Sequence, residues 1–127
     1  MTQGRMVKAY KALLEIGQQR LPSTISYKLF KLRRQLQPAW DFQIERETQI
    51  FEMYPPVQQE DGKFFKFESP EAKQGFEEAF KELNDMEPEI PFDPINVPLL
   101  PEMRLSGNDL ETLEDFVFFT SDEPGNA

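Results

Sequence analysis

Lys28, Lys31 and Arg34 follow one another at spacings of three, with Arg33 beside the last. On a helix this spacing lines cations along one face, a pattern suited to phosphate contacts, and residues 7–36 have the outline of a loose helix-turn-helix. A solvated basic face, or an intramolecular partner for acidic residues elsewhere, accounts for the same cations. Carboxylates are the only catalytic groups present in quantity. Glu77 with Glu82, or Glu87 with Glu89, could hold a divalent cation or form an acid/base pair. No EF-hand spacing, Gly-rich phosphate loop or nucleophile elbow surrounds them. The chain has no Cys and no His, which excludes disulfides, thiolate nucleophiles, Cys/His zinc sites and any Ser-His-Asp or Cys-His mechanism. The reading is therefore of a protein that is not an enzyme and uses no cofactor or metal.

Charge is divided unevenly. Residues 1–59 carry nine Lys and Arg against five Asp and Glu, whereas residues 60–127 carry five against 18, for a net charge of −9. Such asymmetry marks separate interaction surfaces or mutual attraction of the halves. An acidic half whose charges fall on helices could also mimic nucleic acid and occupy the basic groove of a host enzyme. The net negative charge opposes duplex DNA binding through long-range repulsion, so nucleic acid is not the favoured partner.

The elements that must position these groups are mostly helical. Met6, Tyr10, Leu13, Leu14 and Gly17 recur at helical spacing, predicting a helix over 3–18 that Pro22 stops. Ser23 and Thr24 are candidate caps for a second helix over 24–54. Its apolar stripe is Ile25, Leu29, Leu32, Leu36, Trp40, Ile44, Phe51 and Tyr54, with a kink or short break expected near Gln35–Gln37 because of Pro38. The first helix is about half as long, folds back as a hairpin, and leaves the stripe at Trp40–Phe51 beyond its reach. Either the C-terminal half or a second subunit must cover that stripe. Cover by a second subunit predicts a homo-oligomer, with an apparent mass exceeding 14.9 kDa by a whole-number factor.

Tyr54-Pro55-Pro56 ends the long helix, and Asp61-Gly62 marks the turn of a small β-hairpin formed by Val57–Glu60 and Lys63–Glu68. Ser69-Pro70-Glu71 starts a third helix running to about Asn84, with Ala72, Phe76, Ala79, Phe80 and Leu83 on its apolar face. Five prolines between 87 and 101 exclude helix and central strand and predict an extended arm. That arm is held by Ile90, Phe92, Ile95, Val97, Leu99 and Leu100, with Phe92 as its anchor. Ser106 with Asp109 opens a last helix buried through Leu110, Leu113, Phe116 and Val117.

With 127 residues and 12 Phe, the chain is long enough and apolar enough for one domain, residues 1–119, followed by a frayed tail, 120–127. The fold class is α+β and mainly helical: a helical hairpin with one long helix, a small β-hairpin, two short C-terminal helices and a Pro-rich extended arm. No apolar run is long enough to span a membrane, and the first residues lack the apolar region of a signal peptide. The expected location is the cytoplasm.

The order of features resembles a family of small, uncharacterised proteins encoded by tailed phages and prophages of low-GC Gram-positive bacteria. The elements that carry the resemblance are Leu21-Pro22-Ser23-Thr24-Ile25-Ser26-Tyr27-Lys28-Leu29, Tyr54 with Asp61-Gly62-Lys63, Phe76 to Asn84, Glu89-Ile90-Pro91, and Leu105-Ser106-Gly107-Asn108-Asp109-Leu110. They cover most of the chain. The resemblance implies a phage origin and a role in infection or virion assembly, in the host cytoplasm or on the virion. The function expected is therefore non-enzymatic protein–protein interaction, as an assembly or accessory factor that engages itself or another phage or host protein. The alternatives are an acidic inhibitor of a host nucleic-acid or defence enzyme, and a helix-turn-helix-like DNA-binding protein. Candidate interface residues are Trp40, Ile44, Phe51, Lys28, Lys31, Arg34 and Phe92.

Overall fold

A computed structural model describes residues 1–58 and 65–121. The elements in chain order are α1 (Gln3–Ile16), α2 (Ser23–Met53), β1 (Val57–Gln58), β2 (Phe65–Lys66), α3 (Pro70–Asp85), β3 (Ile95–Leu99), α4 (Gly107–Thr112) and β4 (Val117–Ser121). The chain is mainly helical α+β, as the periodicities require.

α1 begins where the Thr2 hydroxyl accepts from the Arg5 N–H at 3.3 Å. It lies against α2, α3 and α4 and buries more than one stripe: Val7, Ala9, Ala12 and Ile16 join Met6, Tyr10 and Leu13 in the interior, while Leu14 is exposed. α2 starts at Ser23 itself. Its N-cap is Pro22, which makes no side-chain cap, so the expected role of Ser23 and Thr24 is not realised. The helix also runs unbroken through Pro38. The proline withdraws its N–H from the Arg34 carbonyl alone, and both residues lie on the exposed side, where water can serve that oxygen.

The buried line of α2 is Ile25, Leu29, Leu32, Leu36, Ala39, Gln43 and Ile50. Beyond Leu36 it runs one residue behind the expected stripe. Steps of four residues overshoot a helical turn by about 40°, so the series Leu36, Trp40, Ile44 rotates off the core and onto the flank. Ala39 takes the central place, and Gln43 enters the interior with Gln3. The Gln3 Nε2 donates to the Ala39 carbonyl at 2.7 Å and to Gln43 Oε1 at 3.2 Å.

β1 and β2 pair antiparallel, with Val57 opposite Lys66 and Gln58 opposite Phe65. The Asp61-Gly62 turn lies outside the described residues. α3 starts as its sequence requires. The Ser69 hydroxyl accepts from the Ala72 N–H at 3.1 Å, Pro70 opens the helix and Glu71 sits in the first turn. Gly75 makes room for Tyr54: a Cβ there would stand 2.5 Å from the ring Cε1.

The C-terminal third differs most from expectation. The Pro-rich segment is extended, but from Ile95 it forms a strand, β3, parallel to β4 in register Ile95↔Val117 through Leu99↔Ser121. The last helix is only Gly107–Thr112. Its capping box between Ser106 and Asp109 is complete, but Leu110 is exposed, and Phe116 and Val117 are buried from the turn and strand that follow. Val117-Phe118-Phe119-Thr120 is rich in β-branched and aromatic residues, which favours strand over helix. β4 thus extends two residues into the expected tail; residues 122–127 lie outside the described residues.

Pro98 is tolerated because of the phase of the ladder. The Ile95 N–H donates to the Phe116 carbonyl at 3.0 Å. In a parallel ladder alternate residues point their backbone groups the same way, so Ile95, Val97 and Leu99 face β4 whereas Asn96 and Pro98 face outward. A missing N–H at Pro98 costs no ladder bond. Val97, Leu113, Phe116 and Val117 join the hairpin core formed by Leu13, Leu29, Leu32 and Leu36. Each such side chain contributes roughly 1.5–3 kcal/mol by transfer out of water.

Candidate functional site

Trp40 is reached by the first helix, contrary to the sequence expectation. Its ring stacks on Tyr10 with centroids 4.8 Å apart, and the Lys11 ammonium lies 5.6 Å from its centroid. The Tyr10 hydroxyl donates to Gln37 Oε1 at 3.0 Å and receives Arg33 Nη1 at 3.5 Å, which fixes the ring between the two helices. Phe51 is partly covered by the C-terminal half: Phe76 and Phe80 of α3 meet it edge-on at 5.3 and 5.8 Å, and Phe67 packs on Phe76 at 4.9 Å. Of the expected stripe, Ile44 is left most open, at 47% exposure. Within the chain Trp40 is therefore covered and Phe51 touched, while Ile44 and Phe51 stay exposed, Phe51 at 42%.

Phe92 is also engaged internally. It stacks on Phe116 at 4.9 Å, and the following Asp93 N–H donates to Gln35 Oε1 at 2.7 Å. The Pro-rich arm is held to the body, as its apolar spacing requires, and Phe92 acts as an anchor within the fold.

The basic residues do not act together. Lys28 Nζ donates to the Asn96 carbonyl at 3.0 Å, on the outward side of β3. Lys31 and Arg34 stay exposed, and the Arg33 and Arg34 guanidinium carbons lie 5.6 and 6.0 Å from the Phe30 ring centroid. No acid occurs between Ser23 and Trp40, so this part of α2 is a basic strip with exposed Tyr27 and Phe30. α1 and α2 run antiparallel side by side, since Gln3 meets Gln43 while Tyr10 meets Gln37 and Trp40. That is a helical hairpin.

Among the acids, Glu77 and Glu82 are exposed on α3, and Glu87 takes the terminal ammonium at 3.4 Å. Arg5 bonds Asp115 and lies 3.9 Å from Glu114, and Lys81 bonds Asp85 at 3.3 Å. Among the described residues no three His, Cys, Asp or Glu side chains are grouped to hold a metal ion. An open groove of about 360 Å³ between α1 and α3 is lined by Arg5, Lys8, Lys11, Glu47 and Asp85. Its charges are mixed. No helix among the described residues is long and apolar enough to cross a membrane.

The feature missed in the sequence is β4. With Phe116, Phe118 and Thr120 facing β3, the backbone groups of Val117, Phe119 and Ser121 face away from it. β3 is the only described helix or strand whose backbone runs beside β4, while the Val117 side chain enters the hairpin core. The uncharged, strand-prone run from Val117 to Ser121 was the available signal.

No protein-family model, curated protein or solved structure matches the chain.

Proposed function

We propose that this chain is a non-enzymatic interaction protein of phage or prophage origin, serving as an assembly or accessory factor and associating with itself. The observation that carries the reading is the set of large apolar side chains held in water by a rigid scaffold. Tyr27, Phe30, Phe42 and Ile44 all project from α2, a helix anchored along its other side in the core, and Tyr27 is 63% exposed. Tyr27 and Phe30 lie about one turn apart beside the basic strip, and large apolar side chains held in water gain from contact with a partner. The phage origin is taken from the order of sequence motifs that carries the resemblance. Such a protein works in the host cytoplasm or on the virion, with a protein as partner.

Co-expression of a tagged and an untagged copy tests the self-association. The untagged copy is expected to co-purify in comparable amount after a wash at moderate salt. Recovery of the tagged copy alone would count against the reading.

A further inference from the structure

The two edges of the β3–β4 sheet are treated differently. An edge strand presents unpaired N–H and C=O groups and invites another strand unless it is blunted. The outer edge of β3 is blunted twice: Pro98 has no N–H to offer, and the Asn96 carbonyl is taken by Lys28 Nζ at 3.0 Å. The outer edge of β4 has neither device. Val117 to Ser121 contains no charge and no proline.

The open groups of that edge follow from the ladder. The Val117 N–H is spent on the Leu113 carbonyl at 2.9 Å. What remains, among the described residues, is the Val117 carbonyl, the Phe119 N–H and carbonyl, and the Ser121 N–H and carbonyl, centred on Phe119. Apart from the Ser121 carbonyl, whose counterpart N–H at Val117 is spent, this set is its own complement under a two-fold axis. Two antiparallel copies would exchange both bonds between Phe119 and its counterpart. Each Ser121 N–H would reach the other copy's Val117 carbonyl, leaving only the two Ser121 carbonyls to water.

We infer that β4 pairs antiparallel with β4 of a second copy about Phe119, joining two two-stranded sheets into one of four strands. The inference rests on the self-association proposed above and places the contact between the copies at this edge, apart from the exposed side chains of α2. The side chains fit it. Phe118 is 52% exposed, on the face of the sheet away from the core, beside exposed Thr120. In the paired arrangement each Phe118 stands opposite a Thr120 as a non-hydrogen-bonded pair, the closer of the two pair types, so the ring gains cover. A copy of the same strand meets the edge with an uncharged five-residue run.

Amide hydrogen exchange of the intact chain, read residue by residue at micromolar and millimolar concentration, tests the pairing. The Phe119 amide should slow by roughly tenfold or more at the higher concentration, following mass action, while the Val97 amide, directed at β3–β4 pairing, is protected at both. Thr120→Lys places a cation on the exposed face without touching an inward N–H; it should abolish the concentration dependence and leave Val97 protected. If the mass rises with concentration while Phe119 exchanges at one rate, the association uses another surface and the β4 pairing is wrong. If the mass does not rise at all, the self-association fails with it.

Discussion

Tyr10 and Trp40 stack with their ring planes 15° from parallel, and this contact ties the first helix to the midpoint of the second. It brings the only Trp of the chain into a partly buried sandwich between Tyr10 and Lys11. A fully buried aromatic costs roughly 3–5 kcal/mol to truncate. Trp40 keeps some exposure, so Trp40→Ala should cost about 2 kcal/mol in urea unfolding followed by circular dichroism. A loss below about 0.5 kcal/mol, the range of an ordinary surface change, would show that the stack does not hold the hairpin.

Phe92 should behave as a structural anchor. Its stack on Phe116 predicts that Phe92→Ala lowers the melting temperature by several degrees, whereas Glu89→Ala, on an exposed side chain, barely changes it. Equal melting of both variants with the wild type, together with native-state proteolysis between 89 and 100, would show that the arm is free.

The phase of the β3–β4 ladder can be read by proline placement. Pro98→Ala should cost no more than about 1 kcal/mol, since it only loosens the unfolded chain. Val97→Pro removes an N–H aimed at β4 and puts a ring into the core, and should cost roughly 3 kcal/mol or more. Thermal melts of the two variants compare them directly, and similar losses would place the outward-facing residues wrongly.

Duplex DNA should not bind appreciably. Lys28 is occupied by Asn96, and Lys31 and Arg34 offer too few phosphate contacts against a net charge of −9. Submicromolar affinity in a gel shift at about 150 mM salt would overturn this.

How much was legible in the sequence depended on range. α1 and α3 announce themselves through periodicity, and Ser69-Pro70 and Ser106 with Asp109 set their helix starts through contacts three residues away. The same locality made the long helix legible as a stripe, but not where that stripe turns away from the core after Leu36. Passage through Pro38 depended on a carbonyl that happens to face water. The parallel pairing of Ile95 with Val117 joins strands separated by a whole helix. Neither strand signals it alone: prolines mask β3, and Phe116-Val117 continues a helical spacing from Leu113. Of the candidate interface residues, Trp40 and Phe92 were legible as apolar anchors, but their partners Tyr10 and Phe116 lie 30 and 24 positions away in sequence. The β4 edge was not legible, because it consists of backbone groups whose direction is set by register.

The proposed mode of action is association of the protein with itself. Sedimentation velocity of the untagged chain across micromolar to millimolar concentration measures it most directly. The mass should rise from 14.9 kDa to about twice that value, with Thr120→Lys held at the monomer. A wild-type chain that sediments as a monomer throughout would contradict it.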